Sequence, residues 1–361
     1  AFLSAWKPAE SGPFLPHHDT YRGLANTLAA VIDAKPERYQ AYFVSFLLIH
    51  PEYAATVLNH FRDEKRTKPV PWALLIPGMK VLLASLPTEG EAMTSENSPW
   101  VEVRRAVARL CLRGLENDLD QIPTDLLDST KALLFELVND PDPDPNLEEA
   151  WPNVDPLTAS LNHVRPIALE GLIRLAHIQA QQKEKVDVSK SKGEERLRKF
   201  DADLADALGR RLDTSVDRSL AIRSVIGRYF AWLQWLDPRW TQDNIDAIFP
   251  APATPEAAKR LLTAMGGFVI ANKYCLDLVP LLDPAYRNTS ALIRGGSDWG
   301  QSQVDPMSRF ASHAVWMHLL SDREVTGGSG DWVLNTLYAA PNARVPIAIA
   351  EAIVGAVHDA S

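Results

Sequence analysis

The densest grouping of chemistry-bearing side chains is Trp232, Trp235, Asp237, Arg239 and Trp240. Tryptophans at helical spacing most often fill the gap between stacked helices. In a concave pocket the same rings would stack a base, and Asp237 would stand ready to stabilise a cationic intermediate. Arg104, Arg105, Arg109 and Arg113 would supply the local basic stripe that such a nucleic-acid enzyme needs. Trp299 lies in an irregular segment, 294–304, where an aromatic ring either anchors a partner protein or tucks into the core. Trp235, Arg239, Trp240 and Trp299 are therefore the candidate binding residues.

Other groupings fail on their spacing. Gly295, Gly300, Gln301 and Ser302 imitate a phosphate-binding loop, yet Gln301 stands where Lys must reach the phosphates, and no apolar strand precedes it. A calcium loop starting at Asp140, with Asp142 and Asp144, would place Pro145 at the glycine position and Trp151 at the bidentate glutamate position. The alternating prolines there read instead as an extended acidic connector that stops the preceding helix. His17, His18 and Asp19 are neighbours without a distant third ligand, and read as a cap with exposed imidazoles. His313 and His318, five apart, fall on different helix faces. With no GxSxG, HExxH or Cys–His pairing, no catalytic residue, metal or cofactor is predicted.

The bulk chemistry narrows the partner. A formal net charge of -9 opposes the broad cationic footprint that nucleic acid requires. At 46% hydrophobic and 23% charged over 361 residues, the chain has material for a large core, and its length calls for two domains or an elongated array. Cys111 and Cys275 sit in apolar helical patterns, which predicts buried, reduced thiols and a cytoplasmic setting. The longest apolar stretch, 41–49, is too short to span a bilayer. The start at Ala1 reads as a processed chain or a piece of something longer.

The elements that must position these residues are helices throughout. Leu24, Leu28, Val31 and Ile32 follow helical spacing, Pro36 and Pro51 open the next two helices, and Arg62–Lys68 reads as a solvated loop. A helix from Pro71 to Leu86 should kink or split at Pro77. Further helices are predicted at 99–118, 123–139, 157–182, 195–211, 215–236, 239–249, 255–272, 275–293, 305–321 and 342–358, with 326–330 as a glycine-rich irregular segment. The charged stretch 183–194 reads as a flexible linker between an N-terminal lobe, 1–182, and a C-terminal lobe, 195–361.

An internal similarity ties three helices together. Val103-Arg104, Val164-Arg165 and Ile222-Arg223 each place an apolar residue before Arg, with apolar side chains three residues on (Val107, Ala168, Ile226) and seven on (Cys111, Leu172, Phe230). This resembles the second helix of HEAT repeats, which implies an all-α superhelix of stacked helix pairs in two lobes. A wider set of residues resembles the helical C-terminal regions of large bacterial antiviral-defence proteins, the NLR-like STAND ATPases and sirtuin-linked proteins. It comprises Pro36–Tyr39, His50–Tyr53, Trp72, Leu161–Ala168, Asp217–Ser219, Ile222–Ser224, Trp240 and Phe249-Pro250. The resemblance implies a non-catalytic region that senses a phage component or binds other domains of a longer chain. The competing expectation is a helical DNA-binding enzyme, such as a glycosylase, built on the tryptophan cluster.

Overall fold

The computed structural model describes residues 21–63, 66, 68–86, 99–116, 120–144, 148, 154–187, 200–297, 299, 305–320, 329–342 and 344–359. The fold is all-α, with no strand among the described residues. His17, His18, Asp19 and the residues 300–304 of the irregular segment lie outside them. The chain divides into two compact units, 1–144 with 162–179, and 145–161 with 180–361.

The first unit holds α1 (Tyr21–Ala34), α2 (Pro36–Tyr39), α3 (Phe43–Leu47), α4 (Pro51–Arg62), α5 (Trp72–Ala84), α6 (Pro99–Glu116) and α7 (Leu127–Leu137). Next come α8 (Pro156–Asn162), which belongs to the second unit up to Leu161, and α9 (Val164–Asp187), which belongs to the first up to Gln179. Helix α1 shows why these segments pack. Ala25, Leu28, Ala29 and Ile32, at i, i+3, i+4 and i+7, form one buried stripe. Pro51 starts α4 where its missing N–H costs nothing, and the His50 imidazole accepts the Glu52 N–H. Helices α1, α4 and α6 pack in sequence, and so do α3, α5 and α7, so successive helices alternate between two rows.

The second unit repeats that alternation. It contains α10 (Ala202–Leu212), α11 (Leu220–Arg228), α12 (Phe230–Leu236), α13 (Pro238–Asp243), α14 (Ile245–Ile248), α15 (Pro255–Ala271), α16 (Val279–Arg294), α17 (Pro306–Leu320), α18 (Ser329–Tyr338) and α19 (Arg344–Asp359). One row runs α11, α15, α17, α19, while α16 packs against α18 in the other. The α11–α15 crossing is close because glycines face backbone. A Cβ on Gly227 would overlap the Ala264 carbonyl, and one on Gly267 would overlap that of Ser224.

Several expectations are corrected. Helix α5 is not split at Pro77, because only one backbone hydrogen bond is lost while Leu74, Leu75, Ile76 and Met79 around it are buried. Helix α18 begins at Ser329, inside the stretch 326–330 expected to be irregular, and two of its buried side chains, Val333 and Leu337, repeat at i and i+4. The expected linker begins inside α9, whose last residues are 183–187, with 188–194 outside the described residues. Cys111 is buried, and burial pushes its thiol up to about 12, but Cys275 is exposed in the turn after α15. Within 62–68, Arg66 is not solvated: it pairs with Asp33 at 3.0 Å, its side chain 6% exposed.

The three recurring arginines are all buried near the starts of their helices, at 4%, 6% and 1% exposure for Arg104, Arg165 and Arg223. Two of them bind carbonyls. Arg165 donates to Asp140 O at 3.0 Å and Pro141 O at 3.3 Å, and Arg223 to Leu212 O at 2.6 Å in the preceding helix and to Ala247 O at 3.1 Å in the later α14, so each guanidinium satisfies backbone acceptors of neighbouring segments. Arg104 differs, donating from Nε to the Asp140 carboxylate at 2.5 Å.

Candidate functional site

The expected site residues separate into two places. Trp235, Arg239 and Trp240 lie on α12 and α13, where Trp240 packs edge-on against Phe200 at 5.3 Å and Trp232 against Tyr229 at 5.3 Å. Arg239 is exposed and Trp235 half-buried. Asp237, only 4% exposed, caps α13: Oδ1 accepts the Trp240 N–H at 2.9 Å, and Oδ2 accepts the Phe200 N–H at 3.0 Å. Both oxygens serve the backbone. The arginine stripe is likewise engaged. Arg104 meets Asp140, Arg105 meets Glu102 and Asp142, and Arg109 meets Glu102 and Asn162.

The Asp-Pro run supplies the acceptors for that network. Asp142 Oδ1 pairs with His163 Nδ1 at 2.7 Å and Oδ2 accepts the Val164 N–H at 2.7 Å, capping α9 from a distant segment. His163 and the Val164 amide, with hydrogen bonds and charge, outweigh burial and hold the Asp142 carboxyl below its ordinary range. Burial dominates at Asp140 and raises it, against the pull of Arg104. Asp140, Asp142 and His163 are buried and held by these partners, so the cluster positions helices.

Trp299 lies elsewhere, on the wall of a cleft of about 570 Å³ in the second unit. One face of α15 supplies one wall, because Glu256, Lys259, Arg260, Thr263, Gly266, Gly267 and Ile270 recur every three or four residues along it. The facing side comes from Glu148, the start of α8 and the start of α11, including Arg218, Leu220 and Ser224. Trp299 closes the cleft: its indole N–H donates to Leu262 O at 2.6 Å, and its ring lies 5.6 Å from that of Phe310. Gly266 makes room for the indole, since a Cβ there would sit 2.9 Å from Nε1.

The charges in the cleft are unequally engaged. Asp155 Oδ2 accepts the Thr158 N–H at 3.0 Å and its hydroxyl at 2.9 Å, and Glu148 Oε1 accepts the Ala221 N–H at 2.8 Å. Glu256 is held low by hydrogen bonds to its own N–H and Thr254, then by Lys259 and Arg260. Lys259 and Arg260 form no hydrogen bond or ion pair among the described residues. Buried Arg223 stands close enough to Arg260 that their repulsion, after burial itself, brings it down to about 10.

No group of three or more His, Cys, Asp or Glu side chains converges as metal ligands among the described residues, and no helix there is long and apolar enough to cross a membrane. Comparison with protein-family models, with curated proteins and with solved structures finds no match. The cleft residues other than Trp299 were missed in the sequence. Their only signal is a polar and glycine stripe running down one face of α15, opposite buried Ala257, Leu261, Ala264, Met265 and Phe268.

Proposed function

We propose that this chain is a protein-recognition region of a larger protein, using the second-unit cleft as its contact site. The observation that carries this is the α15 stripe left open beside Trp299, where a polar and apolar lining meets space of the size that accepts side chains of a partner segment. The helical-array architecture supports it, because stacked helices leave grooves that serve as scaffolds for protein binding. The resemblance to bacterial defence proteins makes a sensing role in a cytoplasmic assembly the preferred setting.

The test is selection of peptides from a displayed random library on the full chain, counter-screened against Thr263→Arg, which fills the cleft. Recognition predicts enriched peptides that bind the wild type and lose about tenfold or more in affinity for the variant. Peptides that bind both proteins equally would place recognition elsewhere and overturn the reading.

A further inference from the structure

The carboxylates and the cations of the cleft are treated differently by the fold. Asp155 and Glu148 hold backbone amides at the starts of α8 and α11, and Glu256 bonds Thr254 and its own N–H while also feeling Lys259 and Arg260. Lys259 and Arg260 lie on the α15 face with their donors unused by described residues, and Arg218 stands on the facing wall. Arg260 is only half-buried yet sits beside a fully buried like charge, Arg223. A guanidinium so placed gains from an added carboxylate, which offers it a forked acceptor. The lining also has apolar members, Leu262, Ile270, Leu157 and Pro306.

We infer that the cleft takes an acidic peptide segment of a partner protein, with carboxylates against Lys259 and Arg260 and an apolar side chain against Trp299. This rests on the recognition reading above and specifies the chemistry recognised. The overall charge of -9 sharpens the choice, because two cations without ion-pair partners among the described residues of an acidic chain admit a short acidic segment while the molecule as a whole repels a long polyanion.

The experiment titrates the full chain with a fluorescein-labelled decapeptide of alternating Glu and Leu, read by anisotropy. Its Gln–Leu counterpart, a phosphoserine–Leu counterpart and a single-stranded oligonucleotide of equal charge serve as comparisons. The Glu–Leu peptide is expected to bind at least about tenfold more tightly than Gln–Leu at low salt, and that preference should shrink as salt rises. Lys259→Glu with Arg260→Glu, both outside the buried core and verified by an unchanged melting curve, should abolish the preference. A tighter phosphoserine peptide would retain the anionic-segment assignment and mark phosphate as its source. Equal binding of Glu–Leu and Gln–Leu, lost in Thr263→Arg, would overturn the acidic assignment while leaving protein recognition standing. Oligonucleotide binding as tight as peptide binding would overturn it in favour of nucleic acid, and binding of no peptide would remove both readings.

Discussion

His313 shows how one side chain fixes three helices. Its Nε2 lies 2.9 Å from the Asn272 carbonyl, which can only accept, so Nε2 carries the proton and Nδ1 accepts the Tyr286 hydroxyl at 2.7 Å. The end of α15 is thereby tied to α16 and α17. The imidazole is buried and neutral, and burial takes it from the ordinary 6.5 down to about 4. Above pH 6.5 neither the folded nor the unfolded chain protonates here, and the contribution to stability is complete. As pH falls from 6.5 towards about 4 only the unfolded chain takes up the proton, so stability drops, by at most about 3 kcal/mol from this group. His313→Gln keeps one donor and one acceptor without a titration, and is expected to flatten that part of a plot of urea midpoint against pH. A slope unchanged in the variant would refute this assignment.

At the scale of elements, the α11–α15 crossing depends on Gly227 and Gly267, each facing the other helix's backbone carbonyl. Backbone cannot step aside as a side-chain tip can, so Gly267→Ala must push the helices apart. We expect a loss of about 1–3 kcal/mol, more than offsetting the helix propensity that alanine adds. Thermal unfolding of the variant measures it, and an unchanged or raised midpoint would show that the crossing has slack. Helix existence was legible in the sequence here, because the apolar repeat of α15 and its Thr254-Pro255 start are local signals. The pairing of those glycines was not, since nothing near Gly227 in the chain names Ala264 as its neighbour. Helix α18 was missed for a related reason: its buried Val333 and Leu337 are set among Gly330, Asp331 and Asn335, and packing against α16 and α17 supplies what propensity lacks.

At the scale of the molecule, the two compact units predict separable stability. Gly114, on α6 in the first unit, faces Ile122 and Trp72 with no room for a Cβ, as Gly267 faces Ser224 in the second. Gly114→Ala should lower amide-exchange protection in 21–144 and 162–179 and leave 200–359 unchanged, with Gly267→Ala doing the converse. Equal losses throughout the chain in either variant would mean that it unfolds as one body.

The sequence alone determined that the chain is helical and where most helices start. All of this is written in spacing of three and four residues, in prolines and in cap residues, whose effects act within a turn or two of backbone. The cleft was decided only in three dimensions. Its walls come from Glu148, from residues within 154–159, 218–224 and 256–270, and from Trp299 and Pro306, and no local periodicity joins them. The same holds for the chemistry of single groups. Asp237 read as an acid that could face a cation and Asp142 as part of an acidic connector, and both act as caps because packing placed the amides of Phe200 and Val164 against them.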